Sequence, residues 1–379
     1  MRAAVLRAPG ALRIEELRDP RPGPGEVLVR VAACGVCHSD LHVIKGESPS
    51  KLPVVPGHEM AGTVAELGEG VEGPAPGTRV VAPFILPCGR CARCAAGRDD
   101  FCEAFWALNR AQGTLYDGTT RLYASDGSPV WMAGPSALAE LCVLPATSVF
   151  EVPDGLALEE AAPLGCAAFT AYGALVHAGA LQPGERVAVV AVGGVGVNLV
   201  QLARVLGAAQ VIAVDVSEEK LALARRMGAT DTIDGSREDV RERVLELTDG
   251  QGVELAFEAL GRPATIRQAL EVVGLGGRAV VIGVSALGEQ TPIESNLLVR
   301  RQLRLVGSYG ARSRADMPRL LELAADGRIS LGDQDFTVEP GETVEFSTQT
   351  PHWFGAVEGP VELIAILGPH GERMHLHDH

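Results

Sequence analysis

The chain has 379 residues, enough for two domains, with 46% hydrophobic and 21% charged residues. That balance supplies a sizeable core and excludes global disorder, and the net charge of −15 argues against nucleic acid as the main partner. No apolar run reaches the ~18 residues of a membrane span. The start, Met-Arg-Ala-Ala-Val-Leu-Arg, lacks the apolar core of a secretion signal. The expected compartment is the cytoplasm, where closely spaced cysteines favour metal over disulfides.

In chain order, residues 1–167 are rich in Gly and Pro and predict a β-rich domain. Short apolar runs such as Val27–Ala32 and Thr78–Ala82 sit between turn formers. Asp117-Gly118 and Asp126-Gly127 bracket Thr119–Ser125 as a hairpin region. From 168 to 310 the pattern alternates. Strands are expected at Val187–Val192, Val211–Val214, Val253–Glu258 and Arg278–Ile282, and helices at Val195–Leu206, Glu218–Met227 and Ala264–Val273. Such alternation defines an α/β, doubly wound parallel sheet. Residues 311–379 predict a helix at Leu320–Ala325 and then a β-rich tail, with strands at Phe336–Phe346 and Val361–Leu367.

Six of the eight cysteines fall into two sets. Cys88, Cys91, Cys94 and Cys102 lie within fifteen residues, at spacings of three, three and eight. Four thiolates about 2.3 Å from a Zn²⁺ ion close it off from chemistry, so this set predicts a structural site. The alternative for these four is a pair of disulfides or unrelated buried thiols. Cys37, His58 and Cys166, with Glu59 beside His58, form the scattered set. Three ligands of mixed type leave a position open for a substrate oxygen. Taken singly, Cys37 reads as a small buried hydrophobe and His58 as an ordinary core or surface histidine. Cys34 and Cys142 are left over as core residues.

Val190-Ala191-Val192-Gly193-Gly194-Val195-Gly196 follows a predicted strand and opens a helix. Gly193, Gly194 and Gly196, with Val195 between them, let the backbone approach a pyrophosphate at the helix N-terminus. Ala191 replaces the first glycine of the usual fingerprint, which is expected to weaken cofactor binding without abolishing it. Asp215 ends the next strand; its carboxylate suits the adenosine ribose hydroxyls and repels a 2′-phosphate, so NAD is preferred over NADP. Lys220 adds a contact on the ribose side or is a solvated surface lysine.

The segments Gly-Val-Cys37-His38-Ser39-Asp40-Leu41-His42 and Pro56-Gly57-His58-Glu59-Met60-Ala61-Gly62, the Leu164-Gly165-Cys166 run and the four-cysteine loop resemble the medium-chain zinc-dependent alcohol dehydrogenases. The likeness runs from residue 1 to about residue 330. It implies a GroES-like catalytic domain, a Rossmann domain for NAD, and two zinc ions per chain. Cys37, His58 and Cys166 would hold the catalytic ion. It further implies a proton relay from Ser39 through the cofactor ribose to His42, Asp40 orienting a ligand imidazole, and Glu59 approaching the ion. His38 would lie near the pyrophosphate, and Val284 would contact the nicotinamide. Phe84 and Trp106 are pocket walls or core residues. The implied activity is interconversion of a small-molecule alcohol with its aldehyde or ketone by a homodimer or homotetramer. A polyol, an amino-acid side chain or a thiol adduct of formaldehyde are alternative substrates, and a catalytically impaired nicotinamide- and zinc-binding protein is the alternative class. After Ile329 the family pattern breaks. The tail weakly resembles half of a cupin barrel, and its histidines (His352, His370, His375, His377, His379) suggest a β-rich cap or a further metal site. Open sheet edges there must be covered by the enzyme body or another subunit.

Overall fold

The computed structural model describes residues 1–286 and 288–330, together with the backbone of three short strands further on, 353–355, 365–367 and 374–376. The chain divides into two compact units. The first comprises Met1–Cys166, Arg312–Gly327 and Leu331–His379; the second comprises Ala167–Ala311 and Arg328–Ser330.

Up to Cys166 the first unit has the strands β1 (Arg2–Leu6), β2 (Leu12–Glu16), β3 (Glu26–Gly35), β4 (Val54–Val55), β5 (Glu59–Leu67), β6 (Arg79–Ala82), β7 (Leu122–Tyr123), β8 (Pro129–Met132), β9 (Leu141–Pro145) and β10 (Phe150–Glu151). One sheet runs β2-β1-β4-β8-β7; the other runs β10-β6-β5-β3, with β9 also paired to β3. Val5, Leu17, Val55, Leu122, Val130 and Val143 fill one core cluster. The predicted hairpin forms across Asp126-Gly127, where Leu122 opposes Val130 and Asp126 Oδ1 accepts the Ser128 N–H at 2.8 Å. The antiparallel register of β3 and β5 sets Gly35 opposite Glu59. It therefore brings residues just beyond the end of β3 beside those at the start of β5, and this pairing builds the candidate site.

The second unit is a parallel sheet of β11 (Arg186–Val190), β12 (Gln210–Asp215), β13 (Asp231–Asp234), β14 (Val253–Glu258), β15 (Val273–Val281) and β16 (Arg304–Gly307). Its order is β13-β12-β11-β14-β15-β16. The order reverses between β11 and β14, the point where open α/β sheets receive their ligands. Three of its predicted strands form within a few residues of their expected bounds. β15 starts five residues before the expected Arg278, and the preceding helix stops at Glu271 rather than Val273. Glycines at 274, 276 and 277 conceal that early start.

The predicted helix at Leu320–Ala325 is the end of a longer one, Ser313–Ala325, which contains Pro318. Its buried residues are Ser313, Asp316, Met317, Leu320, Leu321, Leu323 and Ala324; all but Leu323 follow helical spacing, but the proline breaks the pattern in sequence. Beyond it, β17 (Trp353–Gly355) pairs antiparallel with the end of β3. Then β18 (Ala365–Leu367) pairs with β19 (Met374–Leu376). The expected strand Phe336–Phe346, the first part of Val361–Leu367, the half-cupin likeness, and His352, His370, His377 and His379 lie outside the described residues. Of His375, only the backbone is described.

Candidate active site and metal centres

Cys37, His58, Glu59 and Cys166 each present a ligand atom within 4.8 Å of the others. Cys37 caps the N-terminus of the helix His38–Lys45 with an extended backbone, φ −101 and ψ 158. Cys166 ends the tight turn Ala162–Gly165. The Cys37 and Cys166 sulfurs lie 3.9 Å apart, and Cys166 Sγ is 3.4 Å from His58 Nε2. Gly57 sets the approach: its φ is +96, and a Cβ there would strike the Leu138 backbone.

Asp40 organises the cluster. It is 2% exposed and sits in the first turn of the helix, where a carboxylate is favoured. Its Oδ2 accepts the Cys37 N–H at 3.1 Å, and its Oδ1 accepts the Gly57 N–H at 2.9 Å. His58 Nδ1–H donates to the same Oδ1 at 3.1 Å, which leaves Nε2 for the thiol side. Such a carboxylate fixes the tautomer and orientation of a ligating imidazole.

The electrostatics favour a cation. The hydrogen bond from Cys166, then His58, holds the Cys37 thiol well below its ordinary range against the cost of burial. Cys166 is pushed up by its bond to Cys37 and by burial. Burial lowers His58, but the Asp40 charge and hydrogen bond outweigh it and leave the imidazole raised. Glu59 is raised chiefly by burial and next by Cys37. Two thiols, an imidazole and a carboxylate held this closely fit Zn²⁺ in donor type and number.

Ser39 is exposed in the first turn of the helix, and His42 lies one turn further along the same face. His42 Nδ1 is 2.5 Å from Glu47 Oε2, and the His38 ring meets His42 edge-on at 4.8 Å. Phe84 packs edge-on to His58, with ring centroids 6.3 Å apart. Trp106 packs instead on Phe105, and its indole N–H donates to the Asp100 carbonyl at 3.1 Å.

Cys88, Cys91, Cys94 and Cys102 form the second cluster, again within 4.8 Å. Backbone amides converge on the sulfurs: Cys88 N–H donates to Cys102 Sγ at 3.2 Å, Cys91 N–H to Cys88 Sγ at 3.4 Å and Phe105 N–H to Cys102 Sγ at 3.4 Å. Burial opposes ionisation of Cys91, but the Cys94 and Glu103 amides bring its thiol down to about 6. Burial pushes Cys94 and Cys102 up, so a cation is what would hold these two as thiolates.

Arg314 closes this loop, a role the sequence reading missed. Its guanidinium bridges both Asp99 oxygens and the Cys94 carbonyl. Asp99 is 1% exposed, and its position in the Arg-Asp-Asp run beside Cys102 was the only signal in the sequence. Replacing Arg314 with Met takes the guanidinium from a buried carboxylate and leaves it the backbone N–H of residue 314, at 3.0 Å. It is expected to destabilise the protein by about 2 kcal/mol, discounted for the partly exposed guanidinium, as a lower denaturation midpoint would show.

In the second unit, β11 passes into the helix Gly194–Val205 through Ala191, Val192 and Gly193. Gly196 has no room for a Cβ, which would strike the Ala191 carbonyl, whereas nothing lies near Gly194. Val195 is half-buried in the first turn. Asp215, 8% exposed, accepts the Val192 N–H on Oδ2 at 2.9 Å and the Val216 and Ser217 N–H groups on Oδ1 at 2.8 and 3.1 Å. Lys220 lies in the first turn of Glu218–Arg226, its N–H directed at Ser217 Oγ. Val284 is 71% exposed just beyond β15. A glycine-rich turn at the carboxyl edge of β11, with a carboxylate at the end of β12, fits a dinucleotide.

Ala191 adopts φ +71, a left-handed conformation that costs an L-residue roughly 1–2 kcal/mol. Ala191→Gly is accordingly expected to stabilise the protein by about 1 kcal/mol, after allowing for the greater freedom of glycine in the unfolded chain. A denaturant midpoint measures it.

The two zinc-type clusters and the Rossmann sheet define a zinc-dependent medium-chain alcohol dehydrogenase, and the chain belongs to that family. Residues 23–154 match the family model for the alcohol dehydrogenase GroES-like domain, and residues 194–326 match that for the zinc-binding dehydrogenases. An S-(hydroxymethyl)glutathione dehydrogenase of Escherichia coli O1:K1 is 36% identical over 337 residues, covering 87% of this chain and 90% of that protein. The solved alcohol dehydrogenase zinc-binding domain protein from Burkholderia ambifaria is 37% identical with a TM-score of 0.82, over 86% of this chain and 89% of that one. Benzyl alcohol dehydrogenase from Acinetobacter calcoaceticus is 30% identical with a TM-score of 0.80, over the same shares. The chain is thus a zinc- and NAD-dependent oxidoreductase that interconverts alcohols with aldehydes or ketones. Among the described residues no single helix is long and apolar enough to cross a membrane.

Proposed function

We propose that Cys37, His58 and Cys166 hold the catalytic zinc, and that Cys88, Cys91, Cys94 and Cys102 hold the structural one. The observation that carries the first assignment is the convergence of two thiols, an imidazole and a carboxylate within 4.8 Å, with Asp40 bound to the far nitrogen of His58. When bound, the zinc supplies a Lewis acid that acidifies an alcohol hydroxyl, and NAD supplies the hydride acceptor. Asp40 orients His58, while Glu59 stands as a reserve carboxylate beside the thiols. Ser39 takes the proton of the alcohol, and His42 leads it toward solvent. On the cofactor side, Gly193, Gly194, Val195 and Gly196 receive the pyrophosphate with His38 nearby. Asp215 accepts the ribose hydroxyls, Lys220 flanks them, and Val284 meets the nicotinamide.

The substrate class is an alcohol and its aldehyde or ketone. Its subclass, a hydroxymethyl adduct of a thiol, is favoured by the name of the Escherichia coli relative. Family membership supports a homodimer or homotetramer working in the cytoplasm. Ser39→Ala is expected to lower kcat by roughly 10²-fold, the low end for general acid–base catalysis, with zinc content unchanged. The test is a panel of alcohols and formaldehyde with a thiol, run in parallel with NAD and NADP. Turnover with NADP alone contradicts the Asp215 assignment, and an unchanged kcat in Ser39→Ala contradicts the proton path.

A further inference from the structure

Glu258 ends β14 and is fully buried, in parallel register with Val190 at the end of β11. It therefore lies where the order of the sheet reverses. One carboxylate oxygen does all the bonding. Oε1 accepts the Leu260 N–H at 2.9 Å, the Gly261 N–H at 2.7 Å and the Thr265 hydroxyl at 2.7 Å. Oε2 is buried and has no hydrogen-bond partner. The backbone carbonyl of the same residue accepts the Ile282 N–H at 2.9 Å and the Gly283 N–H at 3.2 Å. One residue thus ties together the turns that follow β14 and β15.

Those two turns touch backbone to backbone. A Cβ on Gly261, whose φ is +84, would lie 2.6 Å from the Val284 carbonyl carbon, and a Cβ on Gly283 would strike the Gly261 nitrogen. Ser285 Oγ donates to the Gly261 carbonyl at 2.6 Å and locks the pair from the far side. Val284, between Gly283 and Ser285, is held outward by this interlock. The hydrogen bonds that Glu258 accepts set the turn against which Val284 rests.

We propose that Glu258 is a positioning residue for the nicotinamide end of the cofactor, acting through the 259–261 turn on Val284. The proposal rests on the reading of Val284 as a nicotinamide contact. Because all three side-chain bonds fall on one oxygen, the amide oxygen of a glutamine can accept them as well, while alanine cannot.

The test is titration of the zinc-loaded protein with NADH and with ADP-ribose, which lacks the nicotinamide. Glu258→Ala is expected to weaken NADH about tenfold, as loss of three buried hydrogen bonds allows, and to leave ADP-ribose within about twofold. Glu258→Gln should bind NADH within about threefold of wild type. Thr265→Val, which removes one donor, should weaken NADH alone by about threefold, and it carries the test if Glu258→Ala does not fold. Equal weakening of both ligands, no change in either, or a glutamine variant as weak as alanine overturns the proposal. In Val284→Gly, unchanged NADH binding removes the reading beneath it. Weaker NADH binding there, with no effect from Glu258, overturns the positioning role alone.

Discussion

Cys166→Ser is expected to lower alcohol-dependent formation of reduced NAD by at least about 10³-fold, since several kcal/mol of Lewis-acid stabilisation is at stake and each 1.36 kcal/mol is tenfold. Cys37→Ser should do the same. Both sulfurs border His58 and Glu59. A serine hydroxyl there is neither a thiolate nor readily ionised, so the site loses one of its three zinc-type donors. The fold should survive. Cys166 sits at the end of a tight turn and Cys37 at a helix cap, and the exchange alters volume little. Circular dichroism and thermal melting are expected to stay near wild type while kcat collapses. Normal turnover in either variant contradicts the assignment.

Cys94→Ser should produce the opposite pattern. Cys94 and Cys102 are buried at 2% and 0% exposure, in a loop whose regular structure is limited to Ala92–Ala95 and Asp99–Phe101. Zinc binding contributes roughly 10–16 kcal/mol in zinc-finger peptides. Even a fraction of that is large against the ~5–15 kcal/mol stability of a typical domain. Loss of the ion is therefore expected to open the 88–102 segment to proteolysis and to lower the yield of folded protein. What folded protein remains should keep part of its turnover, because the Cys37–His58–Cys166 cluster uses none of these residues. The Arg314 bridge to Asp99 resists this opening, so Arg314→Met should add to the damage.

The two ligand-type clusters were legible in the sequence because metal chemistry restricts residue type and spacing together, and each set lies with its ligand atoms within 4.8 Å of one another. The parallel strands were legible where their residues are buried on both faces, as in β11 and β14. β13 escaped because Asp-Thr-Ile-Asp buries only Ile233 fully, and the helix Ser295–Arg301 escaped because it buries no residue at all. Asp40 was legible as a partner for an imidazole, but its bonds to the Cys37 and Gly57 amides depend on the register of β3 and β5. Glu258 and Arg314 were invisible for the same reason, and Asp99 carried no signal beyond its place beside Cys102: each acts on groups far away in sequence or on backbone amides that carry no residue signature.

The most direct test of the account is the zinc-to-chain ratio measured beside turnover on the same samples of wild-type protein and Cys166→Ser. Two zinc ions per wild-type chain, and one ion with no turnover in the folded variant, are the predicted results. A single ion in the wild type, or a Cys166→Ser variant that keeps both ions and its activity, contradicts it.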